Sequence, residues 1–159
     1  MTEIPTEVLK YELRKLQIKV AEESRSTYLT FVKKVWPDFI AGSHHKIFAQ
    51  KLEDVSRGKI KRLIVNMPPR HTKSEFASHL FPAWMMGRNP KLKIIQTTHT
   101  AELSYNFGRK VRNLFDQEEF KEIFPNVTLS QDSKAAGRFT TNKGGEYFAA
   151  GVGGAITGR

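Results

Sequence analysis

Arg62-Leu63-Ile64-Val65-Asn66-Met67-Pro68-Pro69-Arg70-His71-Thr72-Lys73-Ser74-Glu75 is the stretch on which the fold turns. Its opening Leu-Ile-Val run is apolar and β-branched, which predicts a strand buried on both faces, as in a parallel sheet. Pro68-Pro69 breaks it. Over 73–86 the apolar residues Phe76, Leu80, Ala83 and Trp84 follow at helical spacing, with Pro82 set to kink or split the helix. A loop between a buried strand and a helix N-terminus is where backbone N–H groups can wrap phosphate oxygens. Lys73-Ser74 matches the Lys-[Ser/Thr] end of such a loop, where Lys neutralises β/γ oxygens and Ser reaches Mg²⁺. Both glycines of that pattern are replaced, by Met67 and Thr72. Glycine is favoured at those positions for positive φ and close backbone approach. Pattern alone leaves two readings, a nucleotide site and a basic connector.

Working outward, Gly87-Arg88-Asn89-Pro90 reads as a turn and Lys93–Thr98 as a second strand. Thr100 is placed to N-cap a helix whose face is Leu103, Phe107, Val111 and Leu114. Strand, loop, helix, strand, helix is the order of a βαβ unit. Short strands are predicted at Arg138–Thr141 and 146–150, around Lys143-Gly144-Gly145. Upstream the text is helical. Leu9, Leu13, Leu16 and Val20 share one face, a polar run over 22–26 is expected to end that helix, and Tyr28 to Trp36 makes a second, stopped at Pro37. A third opens at Ser43, carries Phe48, Leu52 and Val55 inward, and ends at Gly58. All these apolar stripes are expected to be core. The fold class is therefore α/β, a parallel-sheet core over 61–159 preceded by a helical segment over 1–60.

Composition narrows the function. The 159 residues suit one domain, and 39% apolar with 26% charged is globular. With no Cys, disulfide scaffolds, thiol catalysis and Cys-based zinc fingers are excluded. No apolar run reaches a membrane span, and 1–5 has no secretory pattern. The net charge of +10 is not spread evenly: residues 57–112 hold 12 basic and 2 acidic side chains, and the remainder balances. A block of that kind is either a solvated surface or a seat for a polyanion, nucleotide phosphates or nucleic acid.

The 62–75 string resembles the deviant phosphate loop of tailed-phage terminase large subunits, the ATPases that package viral DNA. Members commonly read Pro-Pro-Arg-His-Gly-Lys-Ser; Thr72 stands here for the glycine. Phe31-Val32 to Trp36-Pro37 with His44-His45 resembles the region before that loop. Thr97-Thr98-His99-Thr100-Ala101-Glu102-Leu103 with Arg109-Lys110-Val111-Arg112 resembles its second strand and helix. Gly153-Gly154-Ala155-Ile156-Thr157-Gly158-Arg159 resembles the turn before its Walker B strand. The resemblance covers residues 28–159.

It implies a P-loop NTPase of RecA/ASCE-like fold, using ATP and Mg²⁺. Pro69, Arg70, His71, Thr72, Lys73 and Ser74 would bind nucleotide, with Lys73 on the β/γ-phosphates and Ser74 on Mg²⁺. Arg70 would either stabilise charge on the γ-phosphate or pair with a carboxylate to shape the loop. His45, or His44, would either lie near adenine or cap a helix. Arg109 and Arg112 are candidate DNA contacts or a solvated face. The implied partners are double-stranded viral DNA, a portal ring and a small terminase subunit. A homo-oligomer at full length, the host cytoplasm and no membrane association are also implied.

Such ATPases need one carboxylate on Mg²⁺ and one on water, at the end of an apolar strand. Glu53-Asp54, Asp116, Glu118, Glu119, Glu122 and Glu146 lack that setting. The chain is accordingly expected to be the N-terminal part of the ATPase domain, an incomplete sheet with an exposed edge, holding ATP weakly without turnover. Two other readings share the basic block: a helicase- or recombinase-type DNA-dependent ATPase, and a non-enzymatic nucleic-acid-binding module.

Overall fold

The computed structural model describes residues 5–153. Three helices come first: α1 (Thr6–Ser26), α2 (Tyr28–Val35) and α3 (Ser43–Ser56). The polar 22–26 run does not end α1 but completes it. Glu, Ser and Arg are tolerated in helices, and the break falls instead at Thr27, whose backbone is extended. α2 stops one residue before Trp36, which precedes Pro37 and takes a non-helical conformation. α3 is N-capped by Gly42, with Ser43 its first residue, and Gly58 follows its end at φ 73°.

Residues 73–74 start the next helix, which continues as a π-helical stretch, Glu75–Leu80, and as α4 (Phe81–Arg88). Pro82 sits in the first turn of α4. Its ring lacks an N–H and crowds the carbonyl four residues back, and a wider turn ahead of it absorbs that conflict. The Phe81 N–H accordingly bonds the Phe76 carbonyl, five residues back. The helix therefore does not split at the proline; the distortion is the π-helical stretch ahead of it.

The remainder is β1 (Lys93–Thr98), α5 (Ala101–Leu114), α6 (Glu118–Ile123), β2 (Leu129–Ala135), β3 (Arg138–Thr141) and β4 (Glu146–Gly151). The sheet order is β1-β4-β3-β2. β1 and β4 are parallel, from Lys93 opposite Glu146 to Thr98 opposite Gly151, and the other two ladders are antiparallel. The protein is thus mixed α/β with a small mixed sheet, not an all-parallel core. β1 and β3 fall on their predicted residues, and β4 runs one residue further.

The 62–66 segment is the main correction. It forms no helix and belongs to no ladder among the described residues. Leu63, Val65 and Met67 pack half-buried on the core, whereas Ile64 is 87% exposed. A strand buried on both faces needs neighbours on both edges, and here one face is open. The predicted βαβ unit is therefore not closed as a sheet; the parallel pairing is made by β4 instead.

One core joins the first helices to the rest. Tyr28, Phe31, Phe48 and Leu52 meet Phe76, Trp84, Val111, Phe120 and Tyr147. Tyr28 is fully buried and donates from Oη to the Phe76 carbonyl at 2.7 Å, while its own N–H bonds Glu53 Oε1 at 2.8 Å. Burial pushes its phenol well above the ordinary value, so the O–H remains a donor. Trp84 Nε1 donates to the Ser24 carbonyl at 2.8 Å. These bonds anchor the inner end of α1 and seat the helix that follows the 67–74 loop.

One predicted face is exposed, and a second is right only in part, Val111 and Leu114 of α5 being buried as expected. Leu9, Leu13 and Leu16 are 61%, 55% and 57% exposed, because α1 meets the body only through its last turns, at Ala21, Ser24 and the Arg25 Nε bond to the Ile123 carbonyl. In α5 the buried face is Ser104, Gly108, Val111 and Leu114, with Leu103 outside. A Cβ at Gly108 would lie 2.1 Å from the Ala136 carbonyl oxygen, so only glycine lets the helix approach there.

Candidate functional site

The loop over 67–74 opens a depression of about 480 Å³ at the start of the 73–88 helix. Its backbone is unusual at two residues. Arg70 has φ 63° and Thr72 φ 59°, both left-handed, and neither is glycine. The sequence marked Met67 and Thr72 as the positions wanting positive φ. Thr72 has it; Met67 does not, and Arg70 takes it instead. The first helical turn closes behind the loop, where the Phe76 N–H bonds the Thr72 carbonyl at 2.9 Å.

Lys73 crosses the loop. Its Nζ donates to the Met67 carbonyl at 3.3 Å, so the ammonium sits between the two ends of the 67–73 arc. Ser74 is exposed at the helix start. His71 Nδ1 donates to the Pro69 carbonyl at 2.9 Å, which closes a small turn around Arg70. The Arg70 side chain is exposed and makes no ion pair or hydrogen bond among the described residues. No carboxylate there holds it to shape the loop.

His45 and Thr72 meet although they are 27 residues apart. His45 Nε2 lies 2.7 Å from Thr72 Oγ1. The Gly42 N–H donates to His45 Nδ1 at 2.9 Å, so Nδ1 carries the lone pair and Nε2 the proton. Thr72 Oγ1 in turn donates to the His71 carbonyl at 2.7 Å. The His45 ring is 6% exposed and packs on Phe39 and Phe76. His44 lies 3.8 Å from it, centroid to centroid, and 5.9 Å from His71. Burial first, and then the neighbouring His44 and His71, hold the His45 imidazole below its ordinary value. Gly42 is the partner that sequence reasoning missed; a lone glycine before a helix carries no sign that its N–H will fix a tautomer.

An apolar cleft of about 280 Å³ adjoins the loop, between His44, Ile47, Phe48 and Lys51 of α3 and the 63–67 segment. It shares Met67 with the loop depression. Glu75 lines the end of the loop depression, and its carboxylate is engaged by two side chains. His79 Nδ1 donates to its Oε2 at 2.9 Å and Lys110 of α5 pairs with Oε1. The His79 bond, then Lys110, hold its carboxyl at about 2 against a burial that pushes the other way. This network fastens the helix after the loop to α5.

The predicted DNA contacts lie elsewhere. Arg109 is exposed and reaches Asn106 Oδ1 at 3.4 Å, and Arg112 is half-buried against Asn113 at 3.0 Å. Gly153, the first residue of the glycine-rich turn, has φ 89°; residues 154–159 lie outside the described residues. Among the described residues no three His, Asp or Glu side chains gather to hold a metal ion, and no helix is long and apolar enough to cross a membrane.

The class these features define is a mixed α/β protein with a cationic, left-handed loop at a helix N-terminus. A scan of protein-family models, a search of curated proteins and a search of solved structures each match nothing to this chain.

Proposed function

We propose that the chain is the nucleotide-gripping part of a P-loop ATPase of the terminase large-subunit type, one that uses Mg·ATP to drive viral DNA into a capsid. The observation that carries it is the loop itself. Two left-handed residues, Arg70 and Thr72, curl the backbone ahead of a helix N-terminus, with Lys73 drawn across the arc. Curled amides, a helix dipole and an ammonium are the three elements of a phosphate cradle.

On this reading Lys73 leaves the Met67 carbonyl for the β/γ-phosphates. Ser74, exposed at the helix start, would offer its hydroxyl to the Mg²⁺ of Mg·ATP. Arg70, with no carboxylate partner, is free to meet charge on the γ-phosphate. Backbone groups of 69–72 supply the cradle. The base fits the apolar cleft next to His44 rather than His45, whose ring nitrogens are both engaged. DNA would follow the basic block, with Arg109 and Arg112 among its contacts.

Isothermal titration with Mg·ATP tests the reading. Wild type is expected to bind, and Lys73→Ala to lose binding by a factor of about 10 to 150, a charge-assisted contact being worth roughly 1.5–3 kcal/mol. Equal affinity for the two chains, or no binding by wild type, would overturn it.

A further inference from the structure

We propose that His45 is a positioning residue that holds Thr72 in the left-handed conformation a phosphate loop needs, doing through a side chain what glycine does through its missing Cβ; this rests on reading 67–74 as a phosphate loop. The standard loop pattern has glycine at the position before Lys-[Ser/Thr]. Thr72 occupies it at φ 59°. A β-branched residue is a genuine outlier in that region, and the conformation persists only where its surroundings over-determine it.

The surroundings here are specific. The Thr72 hydroxyl is used on both sides, donating to the His71 carbonyl and accepting from His45 Nε2–H, each at 2.7 Å. His45 has one donor to give that hydroxyl, beside its capping bond at the start of α3. Its Nδ1 is taken by the Gly42 N–H at 2.9 Å, so its single proton points at Thr72. Its ring cannot swing away, since Phe39 meets it edge-on at 4.8 Å and Phe76 stacks on it at 5.2 Å. Phe76 itself belongs to the helix that the loop opens, and its N–H bonds the Thr72 carbonyl. Thr72 is therefore gripped at its hydroxyl from α3 and at its carbonyl from its own helix. The titratable groups facing His45 are His44 and His71, both imidazoles, and they disfavour a charge that would cost the Gly42 bond.

If His45 exists to hold a threonine where glycine would need no holding, the two positions are coupled. For nucleotide affinity, removing the imidazole matters while Thr72 is present and ceases to matter once residue 72 is glycine, and the loss of stability is larger on the threonine background. The test is a double-mutant cycle of wild type, His45→Ala, Thr72→Gly and the double variant, read by Mg·ATP titration and by thermal midpoint. His45→Ala alone is expected to weaken binding by about tenfold and to lower the midpoint; on the Thr72→Gly background it is expected to change affinity by less than about twofold. His45→Phe, which keeps the ring between Phe39 and Phe76 but removes both nitrogens, serves if His45→Ala fails to fold. Equal losses on the two backgrounds, or no loss on either, would overturn the proposal. The two readouts separate two failures. If wild type binds no Mg·ATP, the phosphate reading falls, and the positioning role still stands or falls on the thermal-midpoint cycle alone.

Discussion

Thr72 and Arg70 are the residues at which local chemistry and backbone shape disagree most openly. Both are non-glycine at positive φ, a conformation costing an L-residue roughly 1–2 kcal/mol. For Thr72 the compensation is visible in the His45 and His71 bonds. The burial of His45, beside His44 and His71, predicts a pH dependence with a definite sign. The folded His45 value lies below the unfolded one, so the unfolded chain takes up a proton first. Its contribution is complete above the unfolded value near 6.5 and is lost as pH falls through that value toward the folded one. Urea midpoints at pH 7.5 and 5.0 check it: wild type is expected to lose more stability than His45→Phe over that interval. At this scale the sequence carried part of the site. The Lys-Ser ending and the missing glycine at 72 were readable from the phosphate-loop spacing. The choice of Arg70 over Met67 for the other left-handed residue was not, because it is set by the His71 bond to the Pro69 carbonyl, a contact that spacing does not encode.

At the level of elements, periodic and β-branched signals served well where an element packs on one side of a formed core. β1 and β3 and the Thr100 cap, whose Oγ1 accepts from the Leu103 N–H at 3.2 Å, fall where composition puts them. β2 escaped because its apolar residues stand only at its two ends, Leu129 and Ala135, with no alternation between them. The 62–66 run was misread because apolarity reports what a segment can bury, not whether neighbours pair with it. In α5 the prediction held at Val111 and Leu114 and missed Ser104 and Gly108, because small residues on the inward face carry no hydrophobic signal. Gly108→Ala tests that face. A methyl would meet the Ala136 carbonyl oxygen at 2.1 Å and Tyr147 at 3.2 Å, so a loss of about 1–3 kcal/mol is expected in chemical denaturation. Tyr28→Phe tests the tie between α2 and the loop helix. It leaves the buried Phe76 carbonyl without its phenol partner, and about 1–2 kcal/mol of stability is expected to go with it.

Over the whole molecule, charge and core divide the work. A single aromatic core spans the first helices and the sheet region, so the loop is seated by residues from both. The basic excess lies in 57–112, which runs from the end of α3 through the loop and β1 to α5. If that block seats a polyanion, as proposed, binding would show a steep salt dependence. For double-stranded DNA, Arg109→Ala and Arg112→Ala are each expected to lower the slope of log K against log salt by about 1, with sequence preference unchanged. Filter binding between low and moderate salt measures it. The same experiment divides the readings, since a nucleic-acid module without nucleotide chemistry shows that salt slope but no response to Mg·ATP.

The most direct measurement is therefore a ¹H–¹⁵N amide map of the wild-type chain titrated with Mg·ATP and, separately, with Mg·AMP. A phosphate cradle at 69–74 predicts that the amides of Arg70, His71, Thr72, Lys73 and Ser74 shift strongly and saturably with Mg·ATP and weakly with Mg·AMP. Unmoved loop amides under Mg·ATP, or equal shifts with the two nucleotides, would contradict it.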